Sequence, residues 1–329
     1  MARVHRQLEA FARNGLLRPG PDPDYADGDD STWMEVDWPA LTRRIEVDGT
    51  LVNVVDTGGE DKPPLVFIHG LSGLWQNWLL NIPAFMDRYR CIAPDLPGFG
   101  RSEMPREEIS IPGYARTVDR LCDVLGVDGP TVVGNSMGGF VGAELALSFP
   151  TRVDKLVLVS AAGLSTEYHR MEPLLVAARL WMLVTARTGA QADVVVRRKR
   201  LRRLFLQGVL RYPEKLSAPL AWELVQGAST PGFVPGLKAN LEYSFRDKLP
   251  QIDMPTLVVW GRNDMIVPVQ DALEYARLIG DNARVEIFED TGHVPMLERP
   301  RRFNALLDAF LAGRPEPERE VGEVEGISG

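Results

Sequence analysis

Ser136 stands at the centre of Gly134-Asn135-Ser136-Met137-Gly138, behind the apolar run Thr131 to Val133 and ahead of a helical pattern, Phe140 to Phe149. Glycines two residues either side of a serine let a strand turn sharply into a helix and lift the hydroxyl clear of the sheet. The chemistry that arrangement serves is nucleophilic attack, which a serine performs only with a base to take its proton and an acid to orient the base. Four histidines are available. His5 lies near the N-terminus, and His169 lies in a long helical stretch. His69 closes a strand in His69-Gly70, where bracing the neighbouring loop suits it. His293, in Asp290-Thr-Gly-His293-Val-Pro after the last predicted strand, is the candidate base. Asp264, directly after Thr256 to Trp260, is the candidate acid. The end of the strand before the helical stretch reads Ser160-Ala-Ala-Gly163 and has no carboxylate. Asp290 is a rival, although a carboxylate on the histidine's own loop more often shapes that loop. Attack on a carbonyl also needs N–H groups aimed at the developing oxyanion. Met137, at a helix N-terminus, supplies one, and Leu71, in the glycine-rich loop after His69, is the candidate for the other.

These groups must be carried by a scaffold. Thr42 to Val47 and Leu51 to Asp56 alternate around Asp48-Gly49, a hairpin signal. Leu65 to Ile68 suits a strand buried on both faces. Asn77 to Tyr89 then reads as helix, Cys91 to Ala93 as strand, Pro112 to Leu125 as helix and Val153 to Val159 as strand. About eighty residues of helical pattern follow Ala162, before the alternation resumes with Thr256 to Trp260, Gln270 to Ile279, Arg284 to Phe288 and Arg301 to Leu311. Alternating β and α segments predict an α/β fold with a mostly parallel, doubly wound sheet. The helical insertion predicts a cap over the strand ends where ligands bind. The expected division is an extension over 1–35, a core over 36–162 and 249–312, a helical cap over 163–248 and an acidic, disordered tail over 313–329.

The 329 residues are 45% hydrophobic and 25% charged, with a formal net charge of −8, an ordinary globular composition. No apolar run is long enough for a membrane span, and no apolar segment follows the first residues as a secretory signal would require. A cytoplasmic protein with two free thiols, Cys91 and Cys122, is expected. No metal-ligand cluster, phosphate loop or nucleic-acid surface stands out, so no cofactor or nucleic-acid partner is expected. Oligomeric state is not encoded in any motif. Arg197, Arg198, Lys199, Arg200, Arg202 and Arg203 form a basic cluster that could meet anionic lipid or an acidic ligand. The favoured reading is the solvated face of a helix whose other face packs Val194, Val195, Leu201, Leu204 and Phe205.

Taken in order, His69-Gly70, Asp95-Leu-Pro-Gly-Phe-Gly-Arg-Ser102, Gly134 to Gly139, Trp260-Gly-Arg-Asn-Asp264 and Gly292-His293 resemble the α/β-hydrolase family over about Thr42 to Ala312. The resemblance implies the same triad, Ser136, Asp264 and His293, with Leu71 and Met137 as oxyanion donors. It makes Asp95 to Ser102 a structural turn. Asn135 and Met137 look like the family's carbon–carbon bond hydrolases of ring-cleavage products. The loop after His69 lacks their Gly-Pro-Gly-like insertion, Val294 stands where they carry tryptophan, and no cap arginine can be placed in the pocket. The expected activity is therefore hydrolysis of carboxylic esters of hydrophobic small molecules through an acyl-enzyme. The alternatives are carbon–carbon hydrolysis and a non-catalytic small-molecule receptor on the same fold. The apolar cap, with Leu174, Leu175, Leu180, Trp181, Met182, Leu183, Trp222, Leu224 and Val225, suits a hydrophobic substrate. Trp75, Trp78 and Trp181 are candidate substrate-binding residues, and each could equally be packing.

Overall fold

The computed structural model describes Tyr25 and residues 32–165 and 196–314. Its centre is an eight-stranded sheet in the order β1-β2-β4-β3-β5-β6-β7-β8. β1 (Thr42–Val47) and β2 (Thr50–Asp56) form the predicted hairpin, with Val47 opposite Thr50. Asp48 and Gly49 both have positive φ, 49° and 76°, the backbone that a two-residue turn between right-twisting strands demands. β2 runs antiparallel to β4 (Arg90–Pro94), and every later pairing is parallel, through β3 (Pro64–Ile68), β5 (Thr131–Asn135), β6 (Lys155–Val159), β7 (Thr256–Gly261) and β8 (Ala283–Phe288).

Because side chains alternate across a strand, each parallel strand feeds two cores. Val66, Ile68, Val132, Leu158 and Val258 point to one face, while Leu65, Phe67, Val133, Val157 and Val259 point to the other. The first core is covered by α1 (Ile111–Leu125), α2 (Met137–Ser148) and, later in the chain, Gln270–Ile279. α1 starts at Ser110, whose hydroxyl accepts the Gly113 N–H, and ends at Gly126 with φ 62°, the polar start and left-handed stop that helix ends favour. Among the described residues, no helix is long and apolar enough to cross a membrane. Cys91 and Cys122 are free and buried, and burial pushes both thiols up to about 12.

One predicted helix is interrupted. Asn77 to Tyr89 is a 3-10 turn, Trp75–Trp78, followed by a separate four-residue helix, Ile82–Phe85. Pro83 has no N–H, so it fits the first turn of a new helix but cannot continue an old one.

The described part of the inserted segment holds α3 (Lys199–Leu206), α4 (Ala218–Val225) and α5 (Phe233–Glu242). The core then resumes with α6 (Gln270–Ile279) and α7 (Pro300–Leu311). α3 keeps Arg198, Lys199, Arg200 and Arg203 exposed, as expected, and departs from expectation at three positions. Leu204 and Phe205 are 63% and 44% exposed, and Arg202 is buried. The Arg202 guanidinium donates to the carbonyls of Val196, Pro213 and Glu214. A planar fork of donors can satisfy three converging carbonyls at once, which no apolar side chain on this helix can do. Val194 and Val195, like His5, His169, Trp181, the other expected cap residues between Leu174 and Leu183, and the tail beyond Arg314, lie outside the described residues.

Candidate active site

All five loops that sequence reasoning pointed to leave the same edge of the sheet, because β3, β5, β6, β7 and β8 are parallel. β5 delivers Ser136 at φ 56°, ψ −118°. Its N–H continues the ladder to Val159 O at 2.9 Å, while its carbonyl already accepts Gly139 and Phe140 of α2. A non-glycine residue in this region stores about 1–3 kcal/mol of strain. The flanking glycines are required by approach distance. A Cβ on Gly134 would lie 2.2 Å from Gly138 O, and one on Gly138 would lie 2.1 Å from Ile68 O.

The candidate base and acid meet across 29 residues of chain. His293 Nδ1–H donates to Asp264 Oδ2 at 2.8 Å, with both side chains buried. The other Asp264 oxygen, Oδ1, accepts the backbone N–H groups of Ile266 (2.8 Å) and Val267 (3.0 Å). The carboxylate is therefore clamped in plane, and the bond at Nδ1 leaves Nε2 as the acceptor nitrogen. Asn135 Nδ2 donates to His293 O at 3.3 Å and to Val159 O at 3.1 Å, so the base loop is tied to the residue next to Ser136. The rival Asp290 is engaged elsewhere: it accepts from Tyr212 Oη at 2.8 Å and from Arg211 Nε at 3.2 Å. It ties its loop to the inserted segment, where sequence reasoning expected a bond within the loop.

The loop after β3 lies beside the elbow; a Cβ on Gly70 would be 3.0 Å from Ser136 Cβ. His69 braces it, as expected. Its Nδ1–H donates to Gly70 O at 2.8 Å, and its Nε2 accepts Leu96 N–H at 2.9 Å. Complete burial holds its pKa below the ordinary histidine value, in keeping with a neutral ring that accepts at Nε2. Asp95 is the second brace, accepting Trp75 N–H at Oδ1, and Asn53 Nδ2 and Arg101 N–H at Oδ2. Its segment is a structural turn. Met137 is the first residue of α2, and such an N–H has no acceptor inside its helix. Leu71 sits under α5; a Cβ on Gly236 would be 3.1 Å from Leu71 Cδ1.

The three tryptophans divide. Trp78 is fully buried between Phe67 (5.0 Å) and Phe303 (6.5 Å) in the second core. Its full burial between these rings is packing and leaves no face open to a substrate. Trp75 is buried against Trp38 at 4.9 Å. Trp181 lies outside the described residues. Sequence reasoning missed Glu298, a fully buried carboxylate whose Oε1 accepts Gly292 N–H (2.9 Å) and Val294 N–H (3.3 Å), the residues flanking His293. Its spacing five residues after the histidine was the available signal, but nothing local shows a glutamate folding back onto its own loop.

Residues 63–300 match the family model described as the alpha/beta hydrolase fold. The chain is 32% identical over 283 residues to a dihydrolipoyllysine-residue acetyltransferase component of an acetoin cleaving system from Cupriavidus necator, covering 85% of this chain and 71% of that one. It is 30% identical over 261 residues to a 2-hydroxy-6-oxo-6-phenylhexa-2,4-dienoate hydrolase from Comamonas testosteroni, covering 76% and 88%. A membrane phospholipase A described as a bacterial virulence factor superposes with a TM-score of 0.65 at 26% identity, over 95% of this chain and 99% of that one.

Proposed function

The chain belongs to the α/β-hydrolase family, and on that premise we propose that it is a serine hydrolase cleaving carboxylic esters of hydrophobic small molecules through an acyl-enzyme. The observation that carries this reading is the buried His293–Asp264 hydrogen bond of 2.8 Å, tied through Asn135 to a serine held at positive φ. Ser136 Oγ attacks the ester carbonyl and passes its proton to His293 Nε2. The carbonyl oxygen, now an anion, is received by the N–H groups of Leu71 and Met137. Collapse of the intermediate expels the alcohol, which takes the proton from His293. Water then attacks the acyl-enzyme with His293 again as base, releasing the acid and restoring Ser136.

A second reading, hydrolysis of a carbon–carbon bond in a ring-cleavage product, is favoured by Asn135 and Met137 beside the serine and by the named activity of the Comamonas relative. Such a substrate carries a carboxylate and calls for a cation facing the elbow. The arginines of the inserted segment whose contacts are described are committed elsewhere: Arg202 to three carbonyls, Arg203 toward Glu214, Arg211 to Asp290 and Arg246 to Glu274. That commitment supports the ester reading. Short p-nitrophenyl esters and a vinylogous dienol-keto acid chromophore should be offered side by side to the wild type and to Ser136→Ala. Ester turnover that falls at least about 10³-fold in Ser136→Ala is expected. Ester turnover unchanged in that variant would refute the serine mechanism. Bleaching of the chromophore with little ester turnover would decide for the second reading.

A further inference from the structure

Tyr25 belongs to the segment that sequence reasoning set aside as peripheral, yet it is only 6% exposed. Its O–H donates to Glu298 Oε2 at 2.7 Å, and its oxygen accepts the Tyr212 N–H at 2.6 Å. Glu298 Oε2 also accepts the Arg211 N–H at 2.8 Å. The carboxylate thus joins the base loop to the inserted segment. Oε1 accepts from Gly292 and Val294, on either side of His293, and Oε2 accepts from Arg211 and Tyr25, with the Gly292 N–H at 3.0 Å shared between the two oxygens. The His293 N–H itself donates to Val209 O at 2.8 Å, so the base loop lies against the turn that follows α3 in the inserted segment. The Tyr25 ring is wedged in place, edge-on to Tyr212 at 5.0 Å and under the Arg299 guanidinium at 4.7 Å.

We propose that Tyr25 is a positioning residue for His293: by satisfying the buried Glu298 carboxylate and the Tyr212 N–H with one hydroxyl, it locks the base loop against the inserted segment. Tyr25 is then a working part of the site, although it touches no reacting atom. A buried carboxylate short of donors draws on whatever N–H groups it can reach. With the Tyr25 hydroxyl gone, the groups free to shift are the Gly292 and Val294 amides that aim the imidazole. A displacement of this kind lowers the rate of proton transfer and leaves substrate binding as it was, because the inserted segment's apolar surfaces are unchanged.

This inference rests on the serine hydrolase reading above, and the test separates the two. Tyr25→Phe keeps the ring, its contact with Tyr212 and its place under Arg299, and removes only the oxygen. The full chain is assayed on a short p-nitrophenyl ester well below its melting temperature, with active sites counted by complete fluorophosphonate labelling. The expected result is a fall in kcat of about ten- to a hundredfold, the scale of a small misplacement of a catalytic group, with KM within about twofold. A purely structural role would lower the melting temperature and leave kcat per active site where it was. Glu298→Gln, alone and combined with Tyr25→Phe, completes a cycle in which the two losses should not multiply, because they act through one bond. An unchanged kcat in Tyr25→Phe, or losses that multiply in the double variant, would overturn the proposal while leaving the hydrolase reading intact. Unchanged turnover in Ser136→Ala removes the hydrolase reading and this inference with it.

Discussion

Replacing Asp264 by asparagine tests the site through one proton. In the native site Oδ1 accepts two backbone N–H groups, from Ile266 and Val267, while Oδ2 accepts from His293. The asparagine amide has one oxygen and one NH₂, so it must choose which end faces which partner. Turning the NH₂ toward Ile266 and Val267 would set donors against donors and forfeit two bonds of about 1.5 kcal/mol or more each. That is about 3 kcal/mol, or a hundredfold preference at 1.4 kcal/mol per factor of ten. The NH₂ therefore faces His293 and donates to Nδ1, which moves the ring proton to Nε2, where it blocks uptake of the Ser136 proton. The minor, productive orientation also lacks the negative charge that stabilises the imidazolium, worth a further ten- to hundredfold at about 1.5–3 kcal/mol for a charge-assisted bond. The expected loss is about 10³- to 10⁴-fold in kcat, the size found when a triad carboxylate elsewhere is made an amide. The melting temperature should stay within about 3 °C of wild type, since the Oδ1 contacts survive. The assay is p-nitrophenyl ester turnover with kcat and KM resolved. A variant retaining more than about a tenth of the wild-type kcat would refute the tautomer argument. Asp290 offers no rescue, because it is bound to Tyr212 and Arg211.

Two further outcomes concern stability. Gly138→Ala places a methyl 2.1 Å from Ile68 O and 2.6 Å from His69 O; it should cost about 3 kcal/mol or more in urea unfolding. Gly208→Ala, with nothing within 4 Å, should stay within about 0.5 kcal/mol, and equal effects would show that the close approach at the elbow is not what requires glycine. Burial depresses the His69 pKa, so the folded chain holds this ring neutral while the unfolded chain protonates it below about 6.5. Its contribution is complete above that pH and is lost as pH falls toward the folded value, by up to about 1.4 kcal/mol per pH unit. Unfolding of wild type and His69→Asn between pH 7.5 and 5.5 should show the steeper acid loss in the wild type, and parallel profiles would remove His69 as the cause.

The parts legible in the sequence are those written in short stretches of chain. The Asp48-Gly49 hairpin, the strand–Ser136–helix turn and the order Ser136, Asp264, His293 follow from turn chemistry, from alternation and from apolar runs bounded by glycine and proline. Each signal needs only a few neighbouring residues, and the parallel sheet then gathers the strand ends at one edge. Even the interruption of the predicted helix Asn77 to Tyr89 was present locally, at Pro83.

The α/β frame, and the candidate nucleophile, base and acid at its strand ends, were thus readable from local sequence. Tertiary structure turned Arg202 of α3 inward, where three carbonyls from Val196, Pro213 and Glu214 converge on it. It placed Trp78 between Phe67 and Phe303, and it brought Tyr25 to Glu298 across 273 residues of chain. The physical reason is common to all three. A buried polar group or a large ring takes its place according to the partners that surround it, and those partners come from distant segments that no local periodicity records.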